Sequence, residues 1–290
     1  MKNEKKLIDK MHTTIYTPDS LLANPFRMAR EMLRDLAASR ELAWRLTVRD
    51  LSAQYRQTIL GFIWAIILPL ANTLIWIFLS RSGVVNVSDT PLPYPVYVFT
   101  GTMLWAILMD ALNAPLQIVT ASKIMLAKIY FPREALVIAG IYQTIFNALI
   151  KVTLLIVALL AMGIYPGWSV LLFPIGLFSL VLVGTVIGLA LTPVGLLYTD
   201  VGKGIPLLMQ FMMYLTPVVF AMPKSGISAT LFQMNPLTPL ILTARDWLTG
   251  LTPEYLGYFV VVNMIAITLL IIFWIVFRLA MPILIERMGS

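Results

Sequence analysis

Apolar runs long enough to cross a bilayer recur six times along the chain, at about 59–80, 95–120, 135–162, 168–192, 204–222 and 257–278. A hydrocarbon core of about 30 Å takes about 20 helical residues, so the pattern predicts an all-α integral membrane protein with six transmembrane helices. Ahead of the first run the pattern is amphipathic. Pro25 follows Asn24 as a first-turn and N-cap pair, and Phe26, Ala29, Leu33, Leu36 and Ala37 recur at helical spacing beside Arg27, Arg30 and Arg34. A second run starts at Ser39, where Leu42, Leu46 and Leu51 are flanked by Arg45 and Arg49. Basic amphipathic helices of this kind suit the inner membrane surface, although a partner-binding or solvated helix carries the same pattern. The chain therefore divides into an N-terminal cytoplasmic and interfacial segment (1–58), a six-span domain (59–278) and a C-terminal cytoplasmic tail (279–290).

The stretch from Leu46 to Leu70, LTVRDLSAQYRQTILGFIWAIILPL, marks the crossing from water to lipid. Gly61 permits close approach, Trp64 suits the headgroup boundary, and Pro69 frees the carbonyl of Ala65 and bends the first span. Two short loops, Ser122 to Leu136 and Thr192 to Pro206, mix a few charges with apolar and aromatic residues, as docking surfaces do. Between the fifth and sixth runs, Asn235 and Pro236 can open a helix and Gly250 can close it. The apolar stretch between them is too short to span, which predicts a re-entrant or interfacial segment on the outer face.

Composition agrees with this picture. Charged residues make up 12% of the chain, apolar residues 59%, and the mean hydropathy is +0.87. Basic residues fix the orientation: 17 Lys and Arg fall on the side that carries both termini and 3 on the other, so both termini are expected in the cytoplasm. The first 58 residues hold eleven basic and seven acidic side chains and lack the apolar centre of a signal peptide.

Several chemistries are excluded by residue type. There is no cysteine, hence no disulfide, thiolate nucleophile or sulfur-bound metal. The one histidine, His12, lies in the polar tail, which removes imidazole acid/base work from the membrane. Gly202, Lys203 and Gly204 lack the spacing and the hydroxyl of a phosphate-binding loop. If ATP drives this protein, another chain hydrolyses it.

Polar residues inside the spans form two stripes. Asp110, Asn113 and Gln117 share one face of the second span, and Gln143, Asn147 and Lys151 one face of the third. A symmetric hairpin about Tyr130 would pair Gln117 with Gln143, Asn113 with Asn147 and Asp110 with Lys151, sparing the cost of unpaired charge in hydrocarbon. The alternative is that each stripe faces a different helix or a water-filled path. Aromatic residues gather toward the outer side at Tyr94, Tyr97, Phe99, Trp105, Trp168, Phe220 and Trp247. An interfacial belt produces such a set.

The motifs also carry a family resemblance. Arg49, Asp50, Tyr55, Arg56, Leu60, Gly61, Trp64, Pro69 and Leu70 form RDLxxxYRxxxLGxxWxxxxPL, which resembles the first-span signature of ABC-type-2 permeases that export O-antigen, capsular polysaccharide and teichoic acid. Lys128 with FPRE (Phe131, Pro132, Arg133, Glu134), YTDVGK (198–203), LTPVVF (215–220), NPLTPLI (235–241) and PxxIER (282–287) resemble further landmarks in the same order. Relatives often carry arginine at the position of Thr199. The resemblance covers about residues 40–288. It implies a homodimer in the bacterial inner membrane, with two separate ATPase subunits that bind ATP and Mg, exporting a lipid-linked polysaccharide. No cofactor is implied on this chain. It further implies that the surface helix and the two cytoplasmic loops seat the ATPase, through Arg49, Lys128, Phe131, Pro132, Arg133, Glu134 and Asp200. Tyr94, Tyr97, Trp105 and Phe220 become candidates for a glycan path, since sugars stack on aromatic rings. A type-2 permease for drugs, ions or lipids shares the topology, and an intramembrane sugar transferase is a further alternative for which Asp110 and Glu134 are the sole acid/base candidates.

Overall fold

The computed structural model describes residues 25–56, 63–84, 90–128, 131–223 and 225–289. His12 and Gly61 lie outside the described residues, as do the side chains of Tyr55 and Arg56. Among the described residues the secondary structure is helical, with no strand. The elements are α1 (Pro25–Ala38), α2 (Arg40–Arg56), α3 (Trp64–Arg81), α4 (Tyr94–Ala121), α5 (Lys123–Lys128), α6 (Glu134–Ala161), a 3-10 turn (Trp168–Leu172), α7 (Phe173–Leu197), α8 (Thr199–Tyr214), α9 (Ile227–Met234), α10 (Leu237–Thr249) and α11 (Leu256–Gly289).

Among the described residues four helices are long and apolar enough to cross a membrane: Tyr94–Ala121, Glu134–Ala161, Trp168–Leu197 and Leu256–Glu286. They coincide with the runs expected at 95–120, 135–162, 168–192 and 257–278. The first expected span is described from Trp64 onward, as an 18-residue helix that contains Pro69. One turn on, the Thr73 hydroxyl donates back to the Pro69 carbonyl at 2.9 Å.

The fifth expected span, 204–222, needs correction. Its helix starts earlier, at Thr199, inside what the pattern assigns to a cytoplasmic loop, and stops at Tyr214. Residues 215–223 are irregular. Pro217 supplies the reason: it has no N–H to continue the ladder and disfavours helical backbone at Thr216. The loop between α7 and α8 shrinks to Tyr198, whose extended backbone (φ −124°, ψ 107°) separates the two helices. Helix α11 runs unbroken from Leu256 to Gly289, through Pro282, because Met281 and Leu284 are buried in a core and hold its last turns.

Helix α4 is the axis of the fold. Within its most apolar window 78% of residues are buried, against 17% for α11. Two cores flank it. One lies around its N-terminal half, with Met103, Leu104, Ile107 and Leu108 packed among Leu180, Val219, Leu240 and Leu248. The other collects Ala43 and Leu46 from α2, Ile118 and Val119 from α4, Leu136 and Ala139 from α6, and Phe277 and Met281 from α11.

Gly184 and Gly188 in α7 have the small-xxx-small spacing that suggests a face for a second copy. The structure uses them inside the chain instead. A Cβ on Gly184 would lie 2.6 Å from the Ala111 Cβ and 2.7 Å from the Leu108 carbonyl oxygen, and one on Gly188 would lie 2.4 Å from the Leu112 carbonyl oxygen. The glycines let α7 cross α4 at backbone contact.

Candidate functional site

The irregular stretch after α8 exposes backbone carbonyls within an apolar interior, where each needs a donor. Three side chains supply most of them. The Tyr97 hydroxyl of α4 donates to the carbonyls of Pro217 (3.0 Å) and Phe220 (3.1 Å). Arg245 of α10 donates from Nη2 to the Val218 carbonyl at 3.0 Å. Asn235 donates from Nδ2 to the Leu215 carbonyl (3.0 Å) and to the Thr216 hydroxyl oxygen (2.8 Å), while its Oδ1 accepts the Leu237 N–H (2.9 Å) and so caps α10. Gly250 closes that helix in the left-handed region, at φ 85°.

Arg245 is the largest fully buried side chain among the described residues, at 1% exposure. Its guanidinium carbon sits 3.7 Å above the centre of the Tyr97 ring, and its Nε and Nη1 have no hydrogen-bond partner among the described residues. A desolvated cation over a ring gains about 2 kcal/mol or more, which helps retain charge at this depth. Gly101 makes the contact sterically possible: a Cβ there would lie 2.2 Å from the Val218 carbonyl oxygen and 2.3 Å from Arg245 Nη2. The sequence signal was a lone basic residue in an otherwise apolar short helix, and its partners lie on two other elements.

Asp246, next in α10, has its carboxyl pushed up to about 6 by burial and by the charge of Glu254, against the pull of Arg245. The helix lies outside the four long apolar helices.

The four aromatic path candidates differ in exposure. Tyr97 is 1% exposed and serves the broken backbone, and Trp105, 6% exposed, packs in the core around α4. Tyr94 and Phe220 are half-buried, and Phe220 packs edge-on against Trp76 of α3 at 5.5 Å. Trp76 also meets Tyr214 at 6.1 Å, so three elements share one aromatic cluster. Trp168, by contrast, is 89% exposed, as a belt residue is.

Of the three rungs expected between the second and third spans, the outermost in the numbering closes: the Lys151 ammonium donates to the Asp110 carboxylate. Asn113 instead donates to the Met109 carbonyl on its own helix, at 2.8 Å. No hydrogen bond joins Asn113 to Asn147 or Gln117 to Gln143 among the described residues.

At the opposite end of the long helices, the expected coupling residues divide by exposure. Lys128 closes α5 and Asp200 stands in the first turn of α8, both exposed. Arg49 is half-exposed and donates from Nε to Asp50 at 2.7 Å. Phe131, Pro132 and Arg133 are partly buried. Glu134 is turned inward, where Arg278 of α11 donates to it at 2.6 Å and to Asp35 of α1 at 2.7 Å. Sequence reasoning singled out neither Arg278 nor Asp35; the available signal was one arginine interrupting the apolar run FWIVFRLAM. Among the described residues no group of three His, Cys, Asp or Glu side chains converges as metal ligands would.

Curated relatives match most of this chain. The O-antigen export system permease protein RfbA of Myxococcus xanthus is 26% identical over 219 residues, covering 72% of this chain and 81% of that protein. One RfbA of Klebsiella pneumoniae is 24% identical over 79% of this chain and 88% of that protein, and the polysialic acid transport protein KpsM of Escherichia coli is 21% identical over the same shares. No family model matches the chain. Its relatives are polysaccharide-export permeases. The resemblance seen in the ordered motifs is therefore matched by similarity over 72–79% of the chain. These relatives are named as transport proteins rather than enzymes.

Three outcomes follow from this geometry. Gly101→Ala should cost about 1–3 kcal/mol or more by overpacking, read as a lower thermal midpoint of the detergent-solubilised protein; an unchanged midpoint would show that Val218 and Arg245 do not close on α4. Asp246 has a folded pKa above its unfolded value, so its contribution to stability is complete below pH 4 and is lost as pH rises through about 6. Asp246→Asn should accordingly raise the midpoint at pH 7.5 and raise it much less at pH 4.5; equal shifts at both values would contradict the assignment. For the intramembrane pair, Asp110→Lys and Lys151→Asp should each lower membrane yield, and the double exchange should recover more than either alone. Simple addition of the two losses would mean that the pair contributes nothing.

Proposed function

We propose that this chain is the membrane permease of a two-component, ATP-driven exporter that passes a lipid-linked polysaccharide outward across the bacterial inner membrane. The observation that carries the reading is the match to O-antigen and polysialic acid export proteins over 72–79% of the chain. The helical architecture supports it, with four long apolar helices and two shorter elements, α3 and α8, to complete six crossings. In this reading both termini are cytoplasmic, α1 and α2 lie along the inner membrane surface, and α9 and α10 form a re-entrant outer segment. Exposed Lys128 and Asp200 belong to the face that a separate ATPase subunit covers, with ATP and Mg held there. A second copy of the chain completes the channel.

A polymer path has to open and reseal at its outer end. The segment 215–223 suits that work, because it hangs from three side chains rather than from a helical ladder.

The reading is tested by topology and by reconstitution together. Single cysteines at Ser20 and Ser290 should be labelled by an impermeant reagent only after the inner face is opened, and one at Ser225 should react in intact cells. Purified alone, the chain should not hydrolyse ATP; with its cognate ATPase it should restore surface polysaccharide to a strain lacking its gene. Labelling of Ser20 in intact cells, or failure of that complementation, would refute the proposal.

A further inference from the structure

The contacts of Arg278 tie together three elements that lie far apart in sequence. Its Nη1 donates to Glu134 Oε1 at 2.6 Å and its Nη2 to Asp35 Oδ2 at 2.7 Å. Glu134 is the first residue of α6, directly after the FPR turn, and Asp35 lies in the last turn of α1. Arg278 itself lies about two-thirds of the way along α11.

The surroundings make one limb of this fork firmer than the other. The Glu134 side chain is 6% exposed and that of Arg278 16%, whereas that of Asp35 is 34% exposed. Phe277, next to Arg278, and Met281, one turn on, are buried in the core that also contains Leu136 of α6 and Ala43 and Leu46 of α2. Helix α11 is thus fixed to the start of α6 by a buried ion pair and by packing. Its link to α1 is the solvent-facing limb, which water can screen and replace.

We propose that Arg278 is a positioning residue that carries displacement of α1 into the last span. The inference rests on the permease reading above, in which α1 and the turn before α6 lie on the ATPase side. Glu134, taken from sequence as an ATPase contact, then acts inside this chain as the anchor of Arg278. A push on α1 reaches α11 through the Asp35 limb and is resisted at Glu134. Arg278 reaches the two carboxylates from two separate nitrogens of one planar fork, a geometry that the single nitrogen of a lysine ammonium does not reproduce.

The experiment uses the full chain with its cognate ATPase in a strain lacking the native gene. It reads membrane yield, ATP hydrolysis of the purified complex and polysaccharide on the cell surface. Asp35→Asn removes the outer limb alone and should leave yield and hydrolysis near wild type, while surface polysaccharide falls about fivefold or more. Arg278→Lys keeps the charge and should match Asp35→Asn rather than wild type, and the two together should be no worse than either. Wild-type export in Asp35→Asn would overturn the proposal. So would an export loss that merely follows yield, the mark of a purely structural contact. Should Arg278→Lys fail to accumulate, Asp35→Asn alone decides. Failure of the wild-type chain to restore surface polysaccharide would instead refute the permease reading, whatever the variants do.

Discussion

Backbone groups removed from water need partners, and the irregular segment after α8 is where that constraint bears hardest on this fold. Once Pro217 ends the helix, the carbonyls of Leu215, Pro217, Val218 and Phe220 lie in the interior without a helical ladder. Tyr97, Arg245 and Asn235 supply the missing donors, and much of the outer half is arranged to bring them there. Gly101 removes a side chain so that the segment can rest on α4, Asn235 caps the helix that presents Arg245, and the Tyr97 ring carries the guanidinium charge. Helix α10 is consequently held to α4 by polar contacts as well as by apolar packing.

The other end of the bundle obeys the same electrostatic rule with charges on side chains. An arginine near the end of an apolar helix is costly alone, and Arg278 is compensated by two carboxylates from α1 and α6. In the middle, Lys151 and Asp110 meet each other across α4 and α6. Arg278 and Lys151 with their carboxylate partners thus join elements, and the joined elements include both the amphipathic N-terminal helix and the last span.

That arrangement suits a protein that moves a substrate without altering it. Phosphate-binding loop, thiol and intramembrane imidazole are absent from the sequence, and the buried side chains of Tyr97, Asn235, Arg245 and Glu134 hold backbone or charge. Polysaccharide-export permeases resemble this chain over 72–79% of its length, at identities of 21–26%.

How much of this could be read from the residues in order follows from which interactions are local. Apolar run length fixed four long helices, the proline at 25 and the break at Ser39 fixed α1 and α2, and Asn235 with Gly250 fixed the ends of α10, because each depends on neighbours within a few positions. The Asp110 and Lys151 contact was also legible, since two antiparallel helices joined by a short loop constrain the register of their facing residues. The fate of the fifth run was not: hydropathy measures whether a segment avoids water, and an irregular stretch buried in protein avoids it as well as a helix does. Nor did spacing tell that Gly184 and Gly188 pack within the chain, or that Tyr97 and Trp105 point into the core. Only the tertiary structure decided where Arg245, Arg278 and Glu134 find their partners, because those partners are 27 to 243 residues away in sequence and the contacts exist only once the helices have packed.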